Sequence, residues 1–245
     1  MPIASHKKHC LRGNWLLLPF LLLAVPIETA VAQSDAATAP AGSNDAPAQL
    51  TVEDLRKVFE RLVTASDGGD RKALARFGRL YQSLYQQAYL EASSNVPKTA
   101  TAMIPELDRW LAEKATAGSA TAQFWMGERT KVLQNFGAKP ADLAEVAAWY
   151  RKSAEQGFAP AQDALGQVLG FFPQYAHEPF EAEKWLFQAA RQGEGAAGER
   201  LLEAIAIDLQ RANYKPDGDI LDWLRQEAGS GNTRARELLD KISQN

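Results

Sequence analysis

One skeleton of residue types recurs four times between residues 105 and 245. Starting from a tryptophan, it places alanine at the fifth following residue, glycine at the eighth, a second alanine at the twelfth and leucine or methionine at the sixteenth. The four tryptophans are 39, 36 and 38 residues apart. A period of this length is typical of repeat arrays, in which each copy is one small supersecondary unit. The tryptophan, glycine and second alanine of each copy are Trp110, Gly118 and Ala122; Trp149, Gly157 and Ala161; Trp185, Gly193 and Ala197; and Trp223, Gly231 and Ala235.

Each copy predicts a hairpin of two helices. The tryptophan, the alanine five residues later and an apolar residue three positions before it form one stripe at helical spacing. The glycine falls where this first helix should end, and Ser119 and Asn232, which follow it in two copies, are good caps for a second helix. We expect Trp149 to be buried between its hairpin and the adjoining unit, and Gly157 to have a backbone conformation closed to branched residues. One hairpin cannot bury its apolar face alone, so the copies must stack.

The central copy resembles the Sel-one-like repeat family, a relative of the tetratricopeptide repeats. Residues 147–166 read AAWYRKSAEQGFAPAQDALG and carry nearly the whole family motif, including Gln162. The copy at Trp110 keeps this glutamine, whereas Gly198 and Arg236 replace it in the last two copies. The resemblance covers about residues 105–245 and implies an all-α fold, a right-handed α-solenoid of about ten helices. It also implies an exported bacterial protein, since bacterial relatives act in envelope regulation, exopolysaccharide control, host-cell contact and immunity against secreted toxins.

Residues 1–32 have the pattern of a secretory signal peptide. Three basic residues precede an apolar run over residues 15–27, and Ala30-Val31-Ala32 supplies the small residues that a signal peptidase reads. The run is shorter than the roughly 20 residues of a membrane span. We expect cleavage after Ala32, delivery to the periplasm or the medium, and no stable membrane insertion; an uncleaved anchor is the alternative. The only cysteine, Cys10, lies in this segment, so the mature chain would have no disulfide.

Two further segments precede the four copies. Residues 33–50 are rich in Ala, Pro and Ser without periodicity, which predicts a disordered linker. Residues 51–95 predict a diverged capping hairpin, because Thr51 and Asp54 resemble a capping box and Gly69 keeps the place of the repeat glycine. We interpret an aromatic stripe on its second helix as a core face, with a contact strip for a partner as the alternative. The stripe consists of Phe77, Tyr81, Tyr85 and Tyr89.

The charge and the motif content argue against several classes of function. Removing residues 1–32 leaves 24 basic and 29 acidic residues, and an acidic balance disfavours a nucleic-acid partner. His177 is the single histidine of the mature chain, and a metal site needs several converging ligands. The sequence has no glycine-rich phosphate loop and no nucleophile motif. We therefore predict no metal, no cofactor and no enzymatic activity.

The leading hypothesis is a non-catalytic adaptor or regulator in the bacterial cell envelope that holds a partner protein on the concave surface of the array. On the first helix of each unit, the positions around the tryptophan that face away from the buried stripe carry charges of both signs, which suits a polar protein partner. An ordinary solvated face, an immunity protein against a secreted toxin, and a cell-wall enzyme or glycan-binding module are the alternatives. The predicted partner contacts are Arg109, Glu113, Lys152, Glu155, Lys184, Gln188, Arg191 and Gln226.

Overall fold

The computed structural model describes residues 51–92, 97–135, 142–211 and 214–244. The expected signal peptide and linker lie outside the described residues. Within the described ranges the chain forms ten α-helices, one short 3-10 turn and no strand, which confirms the all-α prediction. The helices are α1 (Val52–Asp67), α2 (Arg71–Ala92), α3 (Thr99–Thr116), α4 (Ala120–Asn135), α5 (Leu143–Glu155), α6 (Ala159–Phe171), α7 (Glu181–Arg191), α8 (Ala197–Asp208), α9 (Gly218–Gly229) and α10 (Thr233–Gln244).

Consecutive helices pack against each other from α1 to α8, α9 packs against α10, and α10 also packs against α8. Each successive pair of helices is one unit of the predicted repeat. Unit 1 consists of α1 and α2, unit 2 of α3 and α4, and so on to unit 5 with α9 and α10. In all five turns the predicted glycine has a left-handed φ, so the prediction for Gly157 is confirmed and extends to the diverged first hairpin. These φ angles are 93° at Gly69, 101° at Gly118, 83° at Gly157, 70° at Gly193 and 100° at Gly231.

Side-chain caps begin several of the helices. Thr51 and Asp54 form the predicted capping box at the start of α1. After the turn glycines, the backbone N–H of Ala122 donates to Ser119 Oγ at 3.1 Å, and that of Ala235 donates to Asn232 Oδ1 at 3.2 Å. Both predicted caps are therefore present. Each satisfies one of the N–H groups that the first turn of a helix leaves without a partner.

The core is divided among neighbouring units. One apolar cluster joins units 1 and 2, a second lies in unit 3 with Ala182 of α7, and a third joins units 4 and 5. The second alanine of the skeleton lies at the centre of each unit from 2 to 5, with no exposed surface at Ala122, Ala161, Ala197 and Ala235. Such a chain is stabilised by neighbour contacts in sequence along the array.

The aromatic residues differ from the sequence prediction at two places. Trp149 is only partly buried, and the adjacent Tyr150 is fully buried in the core of unit 3. The expectation of a buried Trp149 is therefore wrong: its ring packs against the apolar cluster of units 1 and 2 but stays partly exposed, whereas Tyr150 is fully enclosed between units 2 and 3. The stripe on α2 does form a core face at Phe77, Tyr81 and Tyr85, but Tyr89 is 52% exposed.

The first four units bend toward the edge that carries their turns. The Arg71 guanidinium, in unit 1, donates to the carbonyl oxygens of Gly193 at 3.0 Å and Gln192 at 3.1 Å, and it pairs with Glu194 at 3.2 Å. Packed helices lie about 10 Å apart, so three steps along a straight stack would separate these turns by about 30 Å. Direct contact between the turns of units 1 and 4 therefore requires that the stack curls, with the turns on the inner side.

Candidate functional site

The eight predicted partner contacts lie on the first helices of units 2 to 5, and all eight are exposed. Three of them have side-chain contacts within the chain. The Lys152 ammonium lies 4.3 Å from the centroid of the Trp149 ring, the Arg191 guanidinium lies 5.6 Å from that of the Phe187 ring, and Lys184 pairs with Glu178 at 2.8 Å. Exposed charges held only by such contacts remain accessible to a partner, since pairs of this kind contribute little stability. Their role as partner contacts stays a prediction.

The glutamine of the repeat motif closes the end of the first helix within a unit. Gln123 Nε2 donates to the Ala115 carbonyl at 3.0 Å, and Gln162 Nε2 donates to the Ala154 carbonyl at 3.2 Å. Each of these carbonyls also accepts from the N–H of the turn glycine, Gly118 at 3.2 Å or Gly157 at 2.9 Å, so the glutamine supplies a second donor to an oxygen at the helix end, where no intrahelical partner is available. In unit 5, Arg236 stands at the glutamine position and makes the equivalent bond to the Ala228 carbonyl at 3.2 Å. The sequence shows Arg236 as a lost motif residue, but the bond itself is kept.

Two pairs of side-chain amides, at equivalent positions of the repeat, also join one unit to the next. Gln156 Nε2 of unit 3 donates to Gln123 Oε1 of unit 2 at 2.7 Å. One unit further on, Gln192 Nε2 donates to Gln162 Oε1 at 2.8 Å. Units 4 and 5 have no such amide pair, because Gly198, at the glutamine position of unit 4, has no side-chain acceptor. The amides therefore hold units 2, 3 and 4 in fixed register along the turn edge.

The turns of units 1 to 4 line an inner groove of about 340 Å³. Its walls include Asp70 and Arg71 of unit 1, Gly157 and Phe158 of unit 3, and Gln192 of unit 4. None of the eight predicted partner contacts lines this groove. The sequence could not indicate it, because it forms only when the stack curls and brings distant turns together.

A large cavity of about 570 Å³ lies between α6, α7, α8 and the connection over residues 172–180. Leu169, Pro173 and Ala204 contribute apolar wall, and Ile207 of α8 lines it while 53% exposed. Phe171, 66% exposed, also lines it. Both side chains are large and apolar, and exposed residues of this kind around a concave site are typical of binding surfaces. Sequence reasoning missed this cavity.

Phe180 shapes one wall of the same cavity. It has φ 59° and is the single non-glycine residue with positive φ in the described part of the chain. Its ring packs edge-on against Tyr214, with 4.9 Å between the ring centroids. The left-handed conformation costs an aromatic residue about 1–2 kcal/mol. The packing of its ring against Tyr214 offsets part of this cost and fixes the connection where it enters α7.

A buried carboxyl lies behind this wall. Glu183 is 2% exposed, and the Tyr214 hydroxyl lies 2.7 Å from each of its carboxylate oxygens. The pKa of Glu183 is raised to about 8, chiefly by burial; the Tyr214 hydrogen bond lowers it and the nearby Asp208 carboxylate raises it. Asp208 itself pairs with Arg211 at 2.9 Å. Sequence reasoning missed this cluster, because Glu183 has the position of an ordinary residue in the first turn of a helix.

The described residues contain no group of three or more potential ligands that could hold a metal ion. None of the described helices is long and apolar enough to cross a membrane. His177 is exposed in the connection before α7, where its backbone N–H donates to Glu181 Oε2 at 2.6 Å.

No family model, no curated protein and no solved structure matches this chain. The likeness to the Sel-one-like repeats therefore stands on the motif residues and on the hairpin units described above.

Proposed function

We propose that this chain is a non-catalytic protein–protein interaction adaptor of the bacterial cell envelope, built as an exported Sel-one-like repeat array. In this proposal the hairpins continue as a right-handed α-solenoid, and a partner protein lies across the polar face of the first helices, beside the turns that line the inner groove. Stacked helical hairpins present extended surfaces suited to such a partner. The chain acts by holding that partner, without a cofactor and without a chemical step.

The observation that carries the proposal is the exposure of the same face of the first helix in consecutive units. Arg109, Lys152 and Arg191 each lie on the first helix of their unit, and each is exposed. The acidic members of the face, Glu113 and Glu155, lie on the same helices and are exposed as well. A face of mixed charge favours a polar protein partner, because complementary charges speed association and select between partners.

The test compares charge reversals on the face with matched reversals elsewhere. The face variant replaces Arg109, Lys152 and Arg191 by glutamate. The control variant makes the same three-charge change at exposed basic residues on second helices, namely Arg79, Lys131 and Arg234. Each tagged protein is used for affinity capture from the periplasmic fraction, followed by mass spectrometry.

The proposal predicts one protein that is captured by the parent chain and the control variant but not by the face variant. Equal melting temperatures of the two variants show that the loss is not due to unfolding. If the face variant captures the same proteins in the same amounts as the parent, the assignment of the binding face to these helices is wrong.

The compartment is tested separately. A C-terminally tagged chain should appear in the periplasmic fraction with Gln33 as its first residue, because the residues before it have the pattern of a cleaved signal peptide. Recovery of the full-length chain in the cytosol would contradict both the export and the cleavage site.

A further inference from the structure

The large cavity runs along one face of α8. Its lining residues there recur every three or four positions, which places them on one side of the helix. They are Arg200, Glu203, Ala204, Ile207 and Asp208, followed by Arg211 just past the helix end. From Arg200 to Asp208 the helix rises by about 12 Å, so the cavity has the length of about two turns of a helix or four residues of an extended strand. This is the size of a short peptide segment.

The floor and walls of the cavity leave room for a large apolar side chain. Gly170 lines it from α6, and a Cβ placed on this glycine would meet no atom within 4 Å. Leu169 and Leu186 form apolar wall beside it, and Ile207 lines the opposite side. A volume of about 570 Å³ lies within the usual range of ligand sites. Covering exposed apolar surface such as Ile207 stabilises a complex, and this gain is set against the costs of association.

The charge at the rim of the cavity determines which charge a bound group should carry. Arg200 and Arg211 are each neutralised within the chain, by Asp163 at 2.5 Å and Asp208 at 2.9 Å. Glu203 is exposed and lies one helical turn before Ile207, and it has no ion pair or hydrogen bond among the described residues. The uncompensated charge next to the exposed isoleucine is therefore negative. A cationic group brought to this rim would find an accessible carboxylate.

We infer that this cavity binds a short segment of a partner protein in which a large apolar side chain enters beside Ile207 and a nearby lysine or arginine pairs with Glu203. This inference rests on the proposed function, because it names a second contact with the same kind of partner. The apolar anchor supplies affinity and the cation supplies selection between segments.

The test uses four fluorescein-labelled synthetic peptides of 12 residues and measures fluorescence anisotropy with the purified protein. The reference peptide is a helix-forming segment with leucine as anchor and lysines three and four residues away. A second peptide has alanine as anchor, a third has glutamates in place of the lysines, and a fourth has the same composition in scrambled order. The reference peptide should bind, the alanine peptide about tenfold more weakly, and the glutamate peptide about three- to tenfold more weakly.

Two variants of the protein locate the binding. Gly170→Leu places a side chain in the cavity at a helical position with open space, and it should abolish binding of the reference peptide. Gly229→Leu is the matched control, since it is also a helical glycine with nothing within 4 Å of its added Cβ but lies in unit 5 away from the cavity. Glu203→Lys should reverse the charge preference, so that the glutamate peptide binds better than the lysine peptide. Loss of fold cannot produce such a reversal.

Several results would overturn the inference. Two of them come from the peptide assay: equal binding of the reference and scrambled peptides, or no effect of Gly170→Leu and Glu203→Lys. Two come from separate measurements: decanoate, tested as a plain apolar ligand, binds while none of the peptides does, or the chain self-associates and Gly170→Leu abolishes that self-association. The inference also fails separately from the proposed function. If the polar-face variant loses capture while none of the peptides binds, only the cavity assignment is wrong; if that variant keeps capture, the polar-face proposal is wrong whatever the peptides do.

Discussion

The Tyr150 ring fills the space that a side chain on Gly127 would occupy, because a Cβ built on this glycine would overlap the ring. Tyr150 is fully buried, and its hydroxyl donates to Glu128 Oε1 at 2.5 Å. The glycine on the second helix of unit 2 thus admits the first helix of unit 3. Unit 3 meets unit 4 in the same way, since a Cβ on Gly166 would lie 2.6 Å from the Leu186 side chain. Close approach of backbone and side chain at a glycine therefore sets the spacing of the central units.

This relationship predicts that Tyr150, rather than the neighbouring Trp149, is the packing centre of unit 3. Tyr150→Ala should cost about 3–5 kcal/mol, the usual range for truncating a large buried aromatic residue. Trp149→Ala should cost clearly less, because the indole is only partly buried and its removal leaves a smaller cavity. Urea unfolding followed by circular dichroism measures both. An equal or larger loss in Trp149→Ala would contradict the assignment.

The left-handed φ of the turn glycines predicts that replacing one of them by alanine lowers the stability of the fold, even where the added Cβ has open space. Gly157→Ala should destabilise the chain by about 1–2 kcal/mol, because alanine at φ 83° has a strained backbone although no atom lies within 4 Å of the added Cβ. Gly195→Ala is the matched control, since this glycine also has open space around its Cβ and does not have a positive φ. The two melting temperatures should differ by several degrees. Similar melting temperatures would show that the turn tolerates a side chain.

The amide pair between Gln162 and Gln192 predicts that a substitution of Gln162 destabilises unit 4 as well as unit 3. Gln162→Leu removes one of the hydrogen bonds to the Ala154 carbonyl, which keeps the Gly157 N–H at 2.9 Å, and one of those from the Gln192 amide, which keeps the Gly157 carbonyl at 3.1 Å. The expected cost is about 1 kcal/mol, the usual net worth of a hydrogen bond. The exposed Gln82→Leu should change the stability little. Hydrogen exchange should show faster exchange in unit 4 as well as in unit 3 of the Gln162 variant. A loss confined to unit 3 would mean that the amides do not couple the units.

The raised pKa of Glu183 predicts that the folded chain loses stability as the pH rises. Its folded pKa of about 8 lies above the ordinary value of 4.5, so the folded chain keeps a proton that the unfolded chain releases between these values. Its stabilising contribution is therefore complete below about pH 4.5 and falls as the pH approaches 8, by on the order of 4 kcal/mol. Glu183→Gln removes this loss and keeps an acceptor for Tyr214.

The measurement for Glu183 is the difference in unfolding free energy between the variant and the parent from pH 5 to pH 9. The difference should move in favour of the variant up to about pH 8 and then level off. A difference that stays constant over this range would show that Glu183 titrates with an ordinary pKa.

The residues that sequence reasoning placed correctly are those whose chemistry fixes their position. A left-handed turn calls for glycine, and a tight helix crossing calls for a small residue, so Gly157 and Ala161 could be predicted from spacing alone. Trp149 and Tyr150 could not be distinguished in this way. They are adjacent on α5, both aromatic, and the periodicity of a helix does not decide which of two residues at the edge of a stripe enters the interface.

The inner groove, the large cavity and the Glu183 cluster depend on longer-range geometry. The contact of Arg71 with the turn of unit 4 results from small rotations that add up over three units, and no local pattern records them. The cavity depends on the path of the connection over residues 172–180, and the burial of Glu183 depends on Tyr214, 31 residues later.

The curl of the stack is tested most directly by one distance between unit 1 and unit 4. Cysteines at the exposed positions Lys72 and Gly195 carry two spin labels, and after the expected signal cleavage the chain has no other cysteine. The distance from electron paramagnetic resonance should be shorter than about 20 Å, and Arg71→Ala should lengthen or broaden it. A distance of about 30 Å or more, as in a straight stack, would contradict the curled array and the inner groove with it.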